Sequence, residues 1–244
     1  MPYLLLESHK VPEDNFRHVG SIYIDLIVDP DRVGNDEYQT IVELIEEIGW
    51  EQATGKRFTF EKSIKGKDEV YRNITVDFLT LPDQSSGREH RHRELQPDLS
   101  ARTMLGAELS LQHNYWYSMR GEMPNGAVTE VDFKMLNVVG CLGTKGIALG
   151  DRYKHKDAYD IVSVLDHYGE GVNEVAKAFK PFLGEPQIQE SLDKLRNMFS
   201  SERTEGSLLY ADFMEPVDEG EREVFAQRGV MLISEFLRKL GGYD

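Results

Sequence analysis

Apolar and polar positions alternate through residues 22–29, "IYIDLIVD", and the alternation predicts a β-strand. Side chains two apart share a face, so Tyr23, Asp25, Ile27 and Asp29 are expected on one side, with Ile22, Ile24, Leu26 and Val28 turned to a core. Residues 38–48 change to helical spacing, with Tyr38, Ile41, Val42, Ile45 and Ile48 on one stripe and Gly49 to end it. A hairpin is expected over 57–80, its turn near Gly66, Lys67 and Asp68. Its second strand carries Val70, Ile74, Val76 and Phe78 toward the core, which leaves Asp77 facing the other way. A polar segment over 82–98 interrupts the pattern, and strand-like pieces return at 112–121 and 126–136. From Lys145 onward the periodicity is helical. Ala158, Ile161, Val162, Leu165 and Tyr168 form one stripe, further helices are expected over 192–199 and 229–240, and an acidic loop is expected to separate those two. The fold class implied is α/β (α+β), a small mixed sheet flanked by helices and followed by a helical C-terminal region. The expected division is 1–140 for the α/β core and 141–244 for the helices, packed as one compact unit.

Composition narrows the function classes. A formal charge of -15 excludes a broad basic field for nucleic acid, although a local basic groove remains open. Cys141 is the single cysteine, so no intrachain disulfide forms and a reducing cytoplasm is the expected compartment. Its apolar neighbours mark it as a small buried hydrophobe rather than a nucleophile. No basic leader precedes the short apolar run at the N-terminus, and no stretch approaches the ~18 apolar residues of a membrane span. A membrane partner is not expected.

Two segments carry candidate chemistry. Phosphoryl and nucleotidyl transfer needs carboxylates from adjacent strands converging on Mg²⁺, and Asp25 with Asp77 has that relation if their strands are neighbours. Either aspartate could equally be a solvated side chain. In "TKGIALGDRYKHKDAYDI", Arg152, Lys156 and Asp160 stand at successive i+4 steps with Lys145 two turns earlier. One helix would set these on a polar stripe able to meet phosphate, or simply to form i,i+4 ion pairs. Two smaller features stand beside these. "REHRHRE" offers His90 and His92 as a two-residue metal pair, a phosphate-contacting loop, or a solvated loop. In "NYWYSM", Tyr115 and Tyr117 share a face opposite Trp116, which suits packing within a strand better than stacking on a base.

Residues 18–170 resemble the AbiEii/AbiGii-type nucleotidyltransferases, a family that includes toxins of abortive-infection and toxin-antitoxin systems. The family's first motif runs Arg-x-Thr-x-Asp-x-Asp-Leu, and Val19, Ser21, Tyr23, Asp25 and Leu26 stand in those places. Its later motif is matched by Lys145, Ala148, Leu149, Arg152, Lys156, Asp157 and Asp160. The resemblance implies a nucleotidyltransferase-like core that moves a nucleotidyl group from an NTP to an RNA or protein hydroxyl. By the same resemblance Asp25 and Asp77 hold Mg²⁺ and act with Lys145 in catalysis. Ser21, Lys145, Arg152, Lys156, Asp157 and Asp160 bind the nucleotide, and an antitoxin protein is an implied partner. The chain departs from the pattern at Tyr23, in place of the first aspartate, and at Val19, in place of the arginine. A degenerate member that binds a nucleotide or a partner protein without turnover is therefore the alternative. The family also carries a helix ahead of its first motif, for which the seventeen residues before His18 are expected to leave little room.

Overall fold

The computed structural model describes residues 2–21, 23–33, 40–66, 68–83, 91–123 and 126–241. They divide into two compact units, one of residues 21–135 and one in which 1–20 join 136–244. The boundary thus falls near the expected 140, but the first twenty residues group with the helices, not the sheet. Helix α1 (Pro2–His9) explains this, because it buries Leu5 and Leu6 and meets the later helices. The room for an N-terminal helix, expected to be lacking, is there.

The sheet unit begins with β1 (Tyr23–Ile27) and α2 (Ile41–Glu47). Thr40 caps α2 in a reciprocal box with Glu43, each side chain bonding the other's backbone N–H. Strands β2 (Glu51–Gln52), β3 (Thr59–Lys65), β4 (Tyr71–Thr80), β5 (His92–Gln96) and β6 (Leu99–Thr103) follow, in the spatial order β2-β3-β4-β6-β5. The expected hairpin is β3–β4, antiparallel from Thr59 opposite Asp77 to Lys65 opposite Tyr71. β1 joins β4 in parallel, and β6 joins β4 in parallel over its last two residues. Val42, Phe60, Val76, Phe78, Leu95, Leu99 and Ala101 form the core, with Phe60 and Phe78 edge to face at 5.7 Å. Each buried Phe removes enough apolar area to contribute about 2–3 kcal/mol. After α3 (Ala107–Gln112), β7 (Asn114–Glu122) and β8 (Val128–Leu136) make a separate two-stranded sheet. There Tyr115 and Tyr117 pack on each other within β7 at 6.4 Å, as anticipated, and Tyr117 also packs on Phe133 of β8 at 5.6 Å, while Trp116 is exposed beside Lys134.

Three expectations fail in this unit. Ile24 and Leu26 were expected in the core but keep 43% and 44% exposure, while Val28 does pack against it. Val70 is exposed, because β4 enters the core only at Val76, Ile74 before it being half-buried. The polar segment over 82–98 contains β5, whose Leu95 reaches the core. Tyr38, Lys67 and His90 lie outside the described residues.

The helical unit continues with α4 (Val138–Arg152), α5 (His155–His167), α6 (Val172–Phe179), α7 (Pro186–Met198), α8 (Glu205–Phe213) and α9 (Glu219–Lys239). α8 occupies the expected acidic loop, burying Leu209, Tyr210 and Ala211. Cys141 is buried in α4, and burial pushes its thiol up to about 11. No helix among the described residues is long and apolar enough to cross a membrane.

Candidate functional site

In the sheet unit, β1 and β4 bring Asp25 and Asp77 directly opposite each other in register. Partners in a parallel pair share a face, so both carboxylates leave the sheet on the same side, one strand spacing of about 4.8 Å apart. Thr59 stands opposite Asp77 on its other flank and donates its hydroxyl to Asp77 Oδ1 at 2.6 Å. Thr59 is itself buried, so this hydrogen bond fixes the Asp77 rotamer and leaves Oδ2 for another partner. The row Asp25–Asp77–Thr59 is the relation expected of the two aspartates. Thr59 was not anticipated, although the hairpin register places it there. One residue pair earlier on that face stand Tyr23, Thr75 and Glu61, and Tyr23 is 63% exposed. Among the described residues no group of three or more His, Cys, Asp or Glu side chains is arranged to hold a metal ion by itself.

The second motif lies in the helical unit and does not form one stripe. Tyr153 takes a left-handed conformation (φ 51°) and ends α4, with Lys154 leading into α5. Lys145 and Arg152 therefore project from α4, while Lys156, Asp157 and Asp160 belong to α5. The break turns the spacing into a cluster. Lys145 Nζ donates to Asp157 Oδ1 at 2.7 Å and to Asp160 Oδ2 at 2.6 Å. Arg152 grips Asp157 with two hydrogen bonds, Nε to Oδ2 at 2.7 Å and Nη2 to Oδ1 at 3.0 Å. Lys156 reaches Asp160 Oδ1 at 2.8 Å, the i,i+4 pair that the spacing predicted.

His18, next to Val19 at the place where the resembled family carries its arginine, completes the cluster. Its Nδ1 accepts the Gly20 N–H at 3.0 Å, so the ring proton sits on Nε2 and is donated to Asp160 Oδ1 at 2.9 Å. The imidazole is thereby neutral. Burial lowers its affinity for a second proton more than Asp160 raises it. The Asp157 and Asp160 side chains are only 2% and 1% exposed. Burial alone would push both carboxyls up. The His18 hydrogen bond and the Lys145 charge overcome it at Asp160, and Lys145 with Arg152 overcomes it at Asp157, so both lie below the usual carboxylate range. Lys145 is correspondingly held charged, the two aspartates outweighing its burial. Three cations, two carboxylates and one neutral histidine make up the cluster. Arg152 and Lys156 keep 40% and 34% side-chain exposure.

Ser21, the remaining expected nucleotide contact, is exposed and turns back on its own segment. It accepts from Tyr23 N and lies 3.1 Å from Tyr23 O. Comparison with protein-family models, with curated proteins and with solved structures gives no match.

Proposed function

We propose that this chain is a nucleotidyltransferase-like protein that binds an NTP with Mg²⁺ on the Asp25–Asp77 face. In this reading it moves a nucleotidyl group to an RNA or protein hydroxyl, in the cytoplasm, as part of a toxin-antitoxin or phage-defence pair. The observation that carries the reading is the in-register carboxylate pair with Asp77 oriented by Thr59. Mg²⁺ is commonly held by one or two carboxylates together with substrate phosphates and water, so two aspartates on one face suit a single ion. When bound, that ion would neutralise charge developing on the phosphoryl oxygens. The chain's own contribution is to present two anionic oxygen donors from a rigid sheet, one strand spacing apart. Within the helical unit, Lys145 and Arg152 act first as internal counter-ions of Asp157 and Asp160.

A second reading, binding of a nucleotide or partner protein without turnover, draws on exposed Tyr23 at the place where the resembled family carries another aspartate. Calorimetric titration with Mg²⁺ and a non-hydrolysable NTP tests the first step. Wild type is expected to bind the metal–nucleotide pair, and Asp25→Asn or Asp77→Asn to weaken it at least tenfold. Transfer of label from an α-labelled NTP to RNA or protein then separates the two readings. Equal Mg²⁺ affinity in wild type and both variants would remove the cation site.

A further inference from the structure

We propose that Arg102 and His92 form a phosphate-binding subsite on the face of the sheet that carries Asp25 and Asp77. The inference rests on the proposed nucleotide reading and gives it a second, independently placed contact. The geometry follows from three registers. Leu79 lies opposite Ile27 on β1 and opposite Arg102 on β6, and Arg102 lies opposite His92 on β5. Ile27, Leu79, Arg102 and His92 therefore make one row across four strands. Leu79 is two residues beyond Asp77, so this row shares the carboxylate face and lies one side-chain step, about 6.6 Å, further along the parallel strands. Ala101, one residue before Arg102, is in the core on the opposite face, which confirms the parity.

In the sequence His92 alternates with arginines and is offered as a pair with His90, which lies outside the described residues. The register sets Arg102 opposite His92. Two side chains with N–H donors, directly opposite each other on neighbouring strands, can converge on one oxygen anion.

The charge environment of Arg102 is the second argument. The chain holds 43 acidic residues against 28 lysines and arginines, yet among the described residues no carboxylate pairs with Arg102 or His92. The Arg102 guanidinium instead lies over the Phe58 ring, 5.5 Å from its centroid. Stacking on an aromatic face holds the planar fork in place while leaving its N–H donors free to point outward. Glu94, exposed two residues after His92 on the same face, lies opposite Ser100 rather than Arg102. A planar, preorganised guanidinium about one strand and one step from an anionic metal pair suits an oxygen anion attached to what that metal holds. For an NTP that anion is a phosphate of the triphosphate, or the pyrophosphate it releases.

Calorimetry with inorganic pyrophosphate, with and without Mg²⁺, and with a non-hydrolysable NTP tests the subsite on wild type, Arg102→Ala, Arg102→Lys and His92→Ala. The expected result is at least a tenfold loss of pyrophosphate and NTP affinity in Arg102→Ala, partial recovery in Arg102→Lys and a smaller loss in His92→Ala. Melting temperatures of all four proteins show whether a variant has lost its fold, and exposed His92 gives a readout that does not depend on the Phe58 contact. Wild type failing to bind pyrophosphate, or Arg102→Ala and His92→Ala both binding within twofold of wild type, overturns the proposal. So does a loss confined to a single-stranded RNA oligonucleotide with pyrophosphate and NTP unaffected. Mg²⁺ affinity of Asp25→Asn distinguishes this from failure of the cation site. Pyrophosphate binding that depends on Arg102 while Mg²⁺ affinity ignores Asp25 keeps the subsite and ends the metal reading. The reverse pattern keeps the metal and ends the subsite.

Discussion

Replacing Lys145 by methionine keeps the unbranched stem and removes the charged end group, which isolates the ammonium's role in the helical unit. Two charge-assisted hydrogen bonds are lost, at 2.7 and 2.6 Å, to carboxylates whose side chains are almost wholly buried. Such bonds contribute about 1.5–3 kcal/mol each, and breaking a buried pair costs about 3–5 kcal/mol. Neither aspartate is orphaned, since Asp157 keeps Arg152 and Asp160 keeps Lys156 and His18. The lower end, about 3 kcal/mol, is therefore expected. A chain of this size loses about 2–4 °C of melting temperature per kcal/mol, so Lys145→Met should melt about 6–12 °C lower at pH 7. Arg152→Met should lose less, because its guanidinium is part-exposed, and Lys156→Met least, as a single i,i+4 pair worth under about 1 kcal/mol. Calorimetric melting of the three variants gives the ranking directly. A loss below about 2 °C for Lys145→Met, or a larger loss for Lys156→Met, would refute the view that this cluster holds its unit together.

Stability should fall on acidification in two windows. Folded His18 resists its second proton, so the unfolded chain binds more protons as pH drops through about 6.5, and stability present above that pH is lost until the folded value is reached. The lowered carboxyls of Asp157 and Asp160 add a second loss below about pH 4 for the same reason. Urea unfolding across pH 8 to 3 checks both, and an unchanged slope between pH 7 and 5 in His18→Gln would sink the first. Gly206→Ala should destabilise by about 1–2 kcal/mol, overpacking outweighing helix propensity, because its Cβ would sit 2.8 Å from the Met198 carbonyl oxygen and from Phe199 Cε2. Gly184→Ala, with nothing within 4 Å, is the neutral control in the same melting experiment. Tyr23→Asp adds a third carboxylate on the Asp25 face and should raise Mg²⁺ affinity in titration calorimetry, while unchanged binding would mean that β1 contributes no cation site.

The hairpin and its orientation were legible because two signals agreed: alternation along the second strand and a turn at Gly66 to Asp68, where Gly66 N bonds Val70 O. That parity placed Asp77 off the core without any knowledge of its neighbours. β5 was hidden because its exposed face carries His92 and Glu94, and only Leu95 and Gln96 are buried. The error over Ile24 and Leu26 has a different cause. Alternation reveals which side chains share a face, but what covers that face depends on the other elements. α8 was missed because nine residues with a glycine near the start give too short a period to separate from the acidic residues around them.

The second motif shows the same limit in its chemistry. Steps of four from Arg152 to Lys156 to Asp160 continue through Tyr153 with no glycine or proline to mark a stop, so periodicity reads one helix where there are two. The single left-handed residue reverses the consequence. On one straight helix the cations would line a surface, whereas the break folds α4 and α5 so that Lys145 and Arg152 meet aspartates more than ten and five residues away along the chain. A lysine that meets phosphate and a lysine that neutralises a buried aspartate can occupy the same motif, since both need a long cationic side chain beside charged neighbours. Burial separates them. Asp157 and Asp160 are too deeply enclosed to remain ionised alone, so some of the positive charge near them is committed to the fold before any ligand arrives. Arg152 and Lys156 reach the surface, so an outside anion would meet the cluster at those two side chains. For that reason melting temperature and ligand affinity have to be read on the same variants, and a loss of one without the other assigns each cation to its task.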